Sequence, residues 1–156
     1  MTILRTRGEV AHLVKLWHND GQSVALASGA FDLLHAGHIS FLEGLWHFTD
    51  RLVVAVTADS VVARKGVGRP IIPEAQRLAV VSALRCTDAA FLFSEIGDDT
   101  NLEIIKPDLF GRGEGYTLDM TEAATIARLG IKVELIHTPR ITSTTEIIDR
   151  IRHPHL

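Results

Sequence analysis

Leu52-Val53-Val54-Ala55-Val56 is apolar at every position, so neither face of this segment can look at water. A strand of that kind belongs in a parallel sheet covered on both sides. Val24 to Ala27 is a shorter run of the same sort, and Ala89-Ala-Phe-Leu-Phe93 another. Segments of helical period lie between them. Val10, Leu13, Val14 and Trp17 recur at i, i+3, i+4 and i+7 before the turn residues Asn19-Asp20-Gly21. His38 to about Thr49 and Glu74 to Leu84 read as two more helices. Leu102 to Ile105 reads as a short one, and a further helix through Ala123, Ile126 and Leu129 is stopped by Gly130. Leu109-Phe110 and Ile131 to Ile136 read as strands. Thr57-Ala58-Asp59-Ser60 offers capping residues after the second strand, and Ser143-Thr144-Thr145 caps a closing helix bearing Ile147, Ile148 and Ile151.

Strand and helix alternating at such short intervals predict an α/β fold, a Rossmann-like doubly wound parallel sheet in a single domain. Residues 1–22 are expected as an N-terminal helical extension and 23–152 as the core. The 156 residues suffice for one full core. With 46% hydrophobic and 22% charged residues, the composition is that of an ordinary soluble protein. A net charge of −3 provides no global basic field, so nucleic acid is not expected as a partner. The one cysteine excludes an intrachain disulfide and fits a cytoplasmic setting. No apolar run approaches membrane-spanning length and MTILRTRGEV lacks a signal-peptide core, so no membrane role is expected.

The chemistry is expected around Val24–His38, VALASGAFDLLHAGH. A buried strand, a turn of small residues and a helix whose first turn carries His35 and His38 make an anion site, because a helix N-terminus presents free N–H groups and a positive dipole end. Zinc is a poor fit, since Cys86 stands in no CxxC and HExxH is missing. A dinucleotide fold is disfavoured by the absence of GxGxxG after the first strand, and no GxxxxGK[ST] loop occurs. In open α/β sheets ligands collect beyond the carboxyl ends of the strands. Asp32, His35 and His38 follow the first strand and Asp59 the second. The Gly111–Tyr116 loop and the Thr138–Thr145 segment follow later ones, so all these residues are expected at one edge.

Gly29-Ala-Phe31-Asp32-Leu-Leu-His35-Ala-Gly37-His38 resembles the HxGH signature of the cytidylyltransferase-like nucleotidyltransferases, most closely the heptose-1-phosphate adenylyltransferases and glycerol-3-phosphate cytidylyltransferases. GRPxxPxxQR at Gly68–Arg77 resembles the family's loop-plus-arginine element, and Arg140-Ile-Thr-Ser143-Thr144-Thr145 its closing motif. The resemblance implies transfer of a nucleoside monophosphate from ATP or CTP to a sugar or alditol phosphate, with pyrophosphate released. A nucleotide-binding module without turnover is the alternative from another class. His35, His38, Lys65 and Arg77 are the implied catalytic groups. Gly29, Ala30, Phe31, Asp32, Gly37, His38, Arg112, Gly113, Glu114, Ser143, Thr144 and Thr145 are the implied nucleotide contacts. Asp32, Asp59, Lys65, Arg69 and Arg77 are the implied acceptor contacts. Mg²⁺ is the implied cofactor, held mainly by the NTP phosphates with no protein metal ligand, and a homodimer the implied assembly. One departure stands out. Where heptose-phosphate adenylyltransferases carry a KGGDY-like loop, this chain has Arg112-Gly113-Glu114-Gly115-Tyr116. Glu114 is expected to reach the ribose that the missing carboxylate would face. His12, His18, His47, His153 and His155 match no motif and are expected at the surface or in packing, and His137 is assigned no role.

Overall fold

The computed structural model describes residues 5–113, 116, 122–138 and 142–153. The apolar runs form β1 (Val24–Gly29), β2 (Arg51–Thr57), β3 (Ala89–Phe93), β4 (Leu109–Gly113) and β5 (Lys132–Ile136). They make one five-stranded sheet in the order β3-β2-β1-β4-β5, every neighbouring pair parallel. The helices are α1 (Arg7–Asn19), α2 (Ala36–Trp46), α3 (Asp59–Val62), α4 (Glu74–Ser82), α5 (Asp99–Ile105), α6 (Ala123–Leu129) and α7 (Thr144–Arg152). Successive side chains of β1 and β2 enter opposite cores. Ala25, Ala27, Leu52, Val54 and Val56 share one with Leu42 and Leu45 of α2 and Leu78 and Val81 of α4. Val24, Leu26, Val53 and Ala55 share the other with Val10 and Val14 of α1 and Leu102 and Ile105 of α5. Both faces of the central strands are dry, which is why they read as unbroken apolar runs. The N-terminal helix covers one of those faces.

The chain leaves β1 toward β2 on one side and later returns to pair β4 on the other. A crevice therefore opens beyond the carboxyl ends of β1 and β4, the switch point where such sheets hold ligands. β4 itself corrects the sequence reading. Gly111, Arg112 and Gly113 belong to the strand rather than to a loop, and Arg112 and Gly113 register with Leu135 and Ile136 of β5. Gly111 is small because a helix passes over it: a Cβ there would stand 2.2 Å from Leu45 Cδ2. That glycine marks helix-on-sheet contact, not a turn.

Helix ends differ from expectation in informative ways. α2 stops at Trp46 and α4 at Ser82, both short of the periodic pattern. α3 has Ala58 at its N-cap and no side-chain cap. The Asp59 N–H instead donates to Glu74 of α4 at 2.6 Å. α7 follows the sequence closely, with Ser143 and Glu146 exchanging hydrogen bonds in a capping box.

Candidate active site

The two histidines are built into the start of α2. His35 is its N-cap, in extended backbone, and its Nδ1 accepts from the Gly37 N–H at 3.1 Å. His38 Nδ1 accepts from the His35 N–H at 3.3 Å. The rings stack with centroids 3.9 Å apart and 28° between planes. A backbone N–H only donates, so each Nδ1 holds its lone pair and the neutral ring carries hydrogen on Nε2. Gly37 permits this fold-back, since a Cβ there would lie 3.0 Å from the His35 ring.

Burial lowers the His38 pKa to about 4, helped by His35 and opposed by Asp32. Burial also lowers that of His35, which Glu146 opposes. Both rings are therefore neutral Nε2–H donors at physiological pH. This sets a stability window. The unfolded chain protonates His38 near its ordinary 6.5, the folded chain only near about 4. Stability is then fully present above 6.5 and falls as pH drops toward 4. Between those values the melting temperature of the wild type should decline more steeply than that of His38→Asn, by calorimetry at half-unit steps; parallel curves would remove His38 as the cause.

A cleft of ≈ 480 Å³ opens beside His38 at the switch point. Gly29, Ala30, Phe31, Asp32, Gly37, His38, Lys65, Arg69, Arg112, Gly113 and Thr144 all line it, drawn from five separate segments. His35 reaches it only through its stack on His38. Thr144 Oγ1 donates to the Asp32 carbonyl at 2.8 Å, tying the N-terminus of α7 to the turn after β1. The Ser143 hydroxyl accepts from Glu146 N. Lys65 has no ion-pair partner among the described residues. Glu114 lies outside the described residues, as do Gly115 and Arg140.

Three expected ligand contacts have other work. Arg77 is buried, with its guanidinium turned inward. Nε donates to the Ile72 carbonyl at 2.9 Å and Nη2 to the Thr57 carbonyl at 2.8 Å and Asp59 Oδ1 at 2.7 Å. Nη1 donates to the Ala30 carbonyl. It braces the ends of β1 and β2 against the loop before α4 and does not line the cleft. Asp59 is accordingly its partner, and no part of the cleft wall. Asp32 does border the cleft, but its buried carboxylate accepts from the Ile71 and Ile72 N–H groups at 2.9 Å each and faces Arg69 Nε at 3.3 Å. It anchors the basic loop rather than offering itself to an acceptor. Thr145 faces a separate, smaller cleft with Lys65, Arg69 and Arg152.

Sequence reasoning missed a buried polar cluster behind the Arg112 side of the cleft. The Arg112 guanidinium lies 4.2 Å from both the Phe110 and Tyr116 ring centres. Its Nη1 donates to Ser28 Oγ at 3.0 Å, and Nη2 reaches Asp98 at 2.9 Å, Glu122 at 3.1 Å and the Tyr116 oxygen at 3.3 Å. Ser28 donates to Asp98 at 2.5 Å, and Tyr116 donates to Glu122. Burial would raise the Glu122 pKa, but the Tyr116 hydroxyl and the Arg112 charge outweigh it and hold it below the usual carboxylate value. Burial and the bond to Glu122 raise that of the Tyr116 phenol, so it stays protonated. Asp98 and Glu122 sit at the N-cap positions of α5 and α6, and neither caps its helix. That cap position was the only sequence signal, and it is shared with solvated carboxylates. Phe41 also lines the cleft and was not foreseen.

Known proteins are consistent with this architecture. The cytidylyltransferase-like family matches residues 26–150. The bifunctional protein HldE of Gluconobacter oxydans is 40% identical over 145 residues, taking in 90% of this chain and 30% of that one. HldE of Methylobacillus flagellatus is 39% identical over 140 residues, 88% of this chain and 29% of that one. The chain thus spans about 30% of the length of these relatives. The crystal structure of the lipopolysaccharide core biosynthesis protein from Thermoplasma volcanium GSS1 aligns with a TM-score of 0.64 at 36% identity, covering 76% of this chain and 98% of that one. A match running from the middle of β1 into α7 carries the whole crevice with it, and on that ground the chain belongs to the cytidylyltransferase-like family.

Proposed function

We propose that this chain is a nucleotidyltransferase of the heptose-1-phosphate adenylyltransferase type, joining AMP from ATP to a sugar 1-phosphate. The observation that carries the reading is the pair of neutral Nε2–H imidazoles at the helix start beside the cleft. The choice of a sugar phosphate is supported by the likeness to HldE proteins and to the lipopolysaccharide core biosynthesis protein. An acceptor phosphate oxygen attacks the α-phosphorus in line. The bond to the bridging oxygen breaks, and its electron pair leaves on pyrophosphate. No enzyme nucleophile is required, so the protein contributes positioning and charge stabilisation. His38, with His35 stacked behind it, donates to oxygens that gain charge. Lys65 and Arg69 on the basic loop, together with the N-terminus of α7 at Thr144, hold the phosphates.

Among the described residues no group of three or more His, Cys, Asp or Glu is placed to hold a metal, and both Asp32 oxygens already have protein partners. These side chains suit Mg²⁺ only as a companion of the triphosphate, which matches its preference for phosphate oxygens and water. When bound, it neutralises the triphosphate charge. A homodimer is the proposed assembly, and sedimentation velocity checks it.

The test is a pyrophosphate-release screen of four NTPs against sugar 1-phosphates, alditol phosphates and glycerol 3-phosphate. Turnover is expected to be greatest with ATP and a sugar 1-phosphate, to vanish with EDTA and to return with Mg²⁺. CTP with glycerol 3-phosphate as the best pair would reassign the substrates. Tight NTP binding with no release from any ester would make the chain a nucleotide-binding module.

A further inference from the structure

Hydrogen-bond accounting at the Arg112 end of the cleft carries a further step, one that rests on the nucleotide reading above. A hydroxyl has one hydrogen to give and two lone pairs. Ser28 gives its hydrogen to Asp98 and takes one from Arg112 Nη1. Tyr116 gives its hydrogen to Glu122 and at most shares one from Arg112 Nη2, whose two hydrogens also serve Asp98 and Glu122 at shorter distances. Each oxygen is left with an unused lone pair, and both residues line the cleft. Arg112 keeps one Nη1 N–H and its buried Nε–H without a partner, but both hydroxyl hydrogens at this end are directed inward, onto carboxylates.

Charge points the same way. One guanidinium faces two buried carboxylates, Asp98 and Glu122. That end is unfavourable for phosphates, whereas Lys65 and Arg69 line the cleft as well without such a surplus of acid. The two ends therefore suit different parts of one nucleotide. The triphosphate suits the basic loop, and an uncharged part bearing hydrogen-bond donors suits the wall of Ser28 and Tyr116.

We propose that Asp98 and Glu122 are positioning residues that, by taking the hydrogens of Ser28 and Tyr116, turn the nucleoside wall of the cleft into an acceptor surface selective for a donor group of the nucleotide. That donor is a ribose hydroxyl or the exocyclic amine of an amino base. Neither carboxylate touches the nucleotide. Glu122 has both oxygens engaged by Asp98 N, Arg112 and Tyr116, and Asp98 is held by Ser28, Asn101 and Arg112. They act through the hydroxyls.

Calorimetric binding of four ligands tests this in the full chain: the preferred NTP, its 2′-deoxy and 3′-deoxy forms, and its keto counterpart (inosine for adenosine, uridine for cytidine). The wild type should bind at least one analogue about tenfold more weakly than the parent, the effect of one lost hydrogen bond. Weakening by a deoxy form identifies the ribose, and weakening by the keto form the base. In Glu122→Gln the amide can itself donate, so the Tyr116 hydrogen is freed to turn outward. In Ser28→Ala the acceptor is removed. Both variants should bind the parent about tenfold more weakly and the discriminated analogue within about twofold of wild type, so that the ratio collapses. A purely structural role would weaken all four ligands alike and leave the ratio intact. An undiscriminating wild type, or variants that keep its ratio, would overturn the proposal. Should Glu122→Gln not fold, Ser28→Ala carries the same comparison. Because binding is read without an acceptor, discrimination without turnover rejects the enzymatic reading alone, and turnover without discrimination rejects this proposal alone.

Discussion

His38→Ala is expected to lower kcat at least about a hundredfold while NTP binds within a few fold of wild type. The Nε2–H of His38 meets an oxygen whose charge grows as the α-phosphorus is attacked, so its contact is stronger in the transition state than in the bound ground state. Deleting one such donor typically costs about 2.7–4 kcal/mol of barrier. Single-turnover pyrophosphate release measures the rate, and calorimetry the affinity. His38 also accepts the His35 N–H, so alanine removes a cap along with the donor. His38→Asn separates the two, because its side-chain oxygen can take the same amide hydrogen while nothing stands at the Nε2 position. Its rate should stay as low as that of alanine. A folded asparagine variant turning over like wild type would take His38 out of the chemistry.

Arg77→Met should be the most destabilising substitution at the site's base, and its effect should appear in stability before affinity. The side chain is 1% exposed and serves carbonyls of Ala30, Thr57 and Ile72 besides the Asp59 carboxylate. Its removal leaves three carbonyls without their side-chain donor while the half-exposed Asp59 regains water, and with each unsatisfied buried group costing about 1–3 kcal/mol the loss is about 3 kcal/mol or more. For a chain of this size that corresponds to a melting temperature lower by roughly 6–20 °C. Lys65→Ala is the contrast. Lys65 is exposed and without an ion pair among the described residues, so its loss should leave the melting temperature within about 1 °C and raise the KM for NTP. An Arg77→Met protein that melts like wild type but binds NTP poorly would restore Arg77 to the phosphates.

What the sequence disclosed and what it hid follow from the range of the interactions involved. Leu52–Val56 announces a strand buried on both faces because each residue there answers to its own surroundings. The same holds for the His35-Ala36-Gly37-His38 turn and the Ser143–Glu146 cap, whose partners lie within three residues. From sequence Arg77 is expected among the catalytic and acceptor contacts, since the local pattern shows only α4. Its burial depends on carbonyls of Ala30 and Thr57, at the ends of β1 and β2, converging on it with the nearby Ile72 carbonyl. The Arg112 cluster is hidden more deeply, assembling Ser28, Asp98, Arg112, Tyr116 and Glu122 from four loop or strand ends. Gly111 shows the converse error. A glycine-rich stretch reads as a turn, but here it clears room for Leu45 of the overlying helix.

The backbone amides that hold both Nδ1 atoms also decide what the imidazoles cannot be. A proton wire needs each ring to receive hydrogen on one nitrogen and release it from the other. Here the Gly37 and His35 N–H groups already occupy both Nδ1 positions. Loading a proton there means giving up a cap bond at the start of α2, which every relay event would have to break and remake. The pair is thereby poorly suited to relaying protons and works, above the pH at which His38 titrates, as a fixed dipole array. Phosphoryl transfer with an already ionised attacking oxygen has no proton to move, and a pair that cannot conduct one is suited to that reaction.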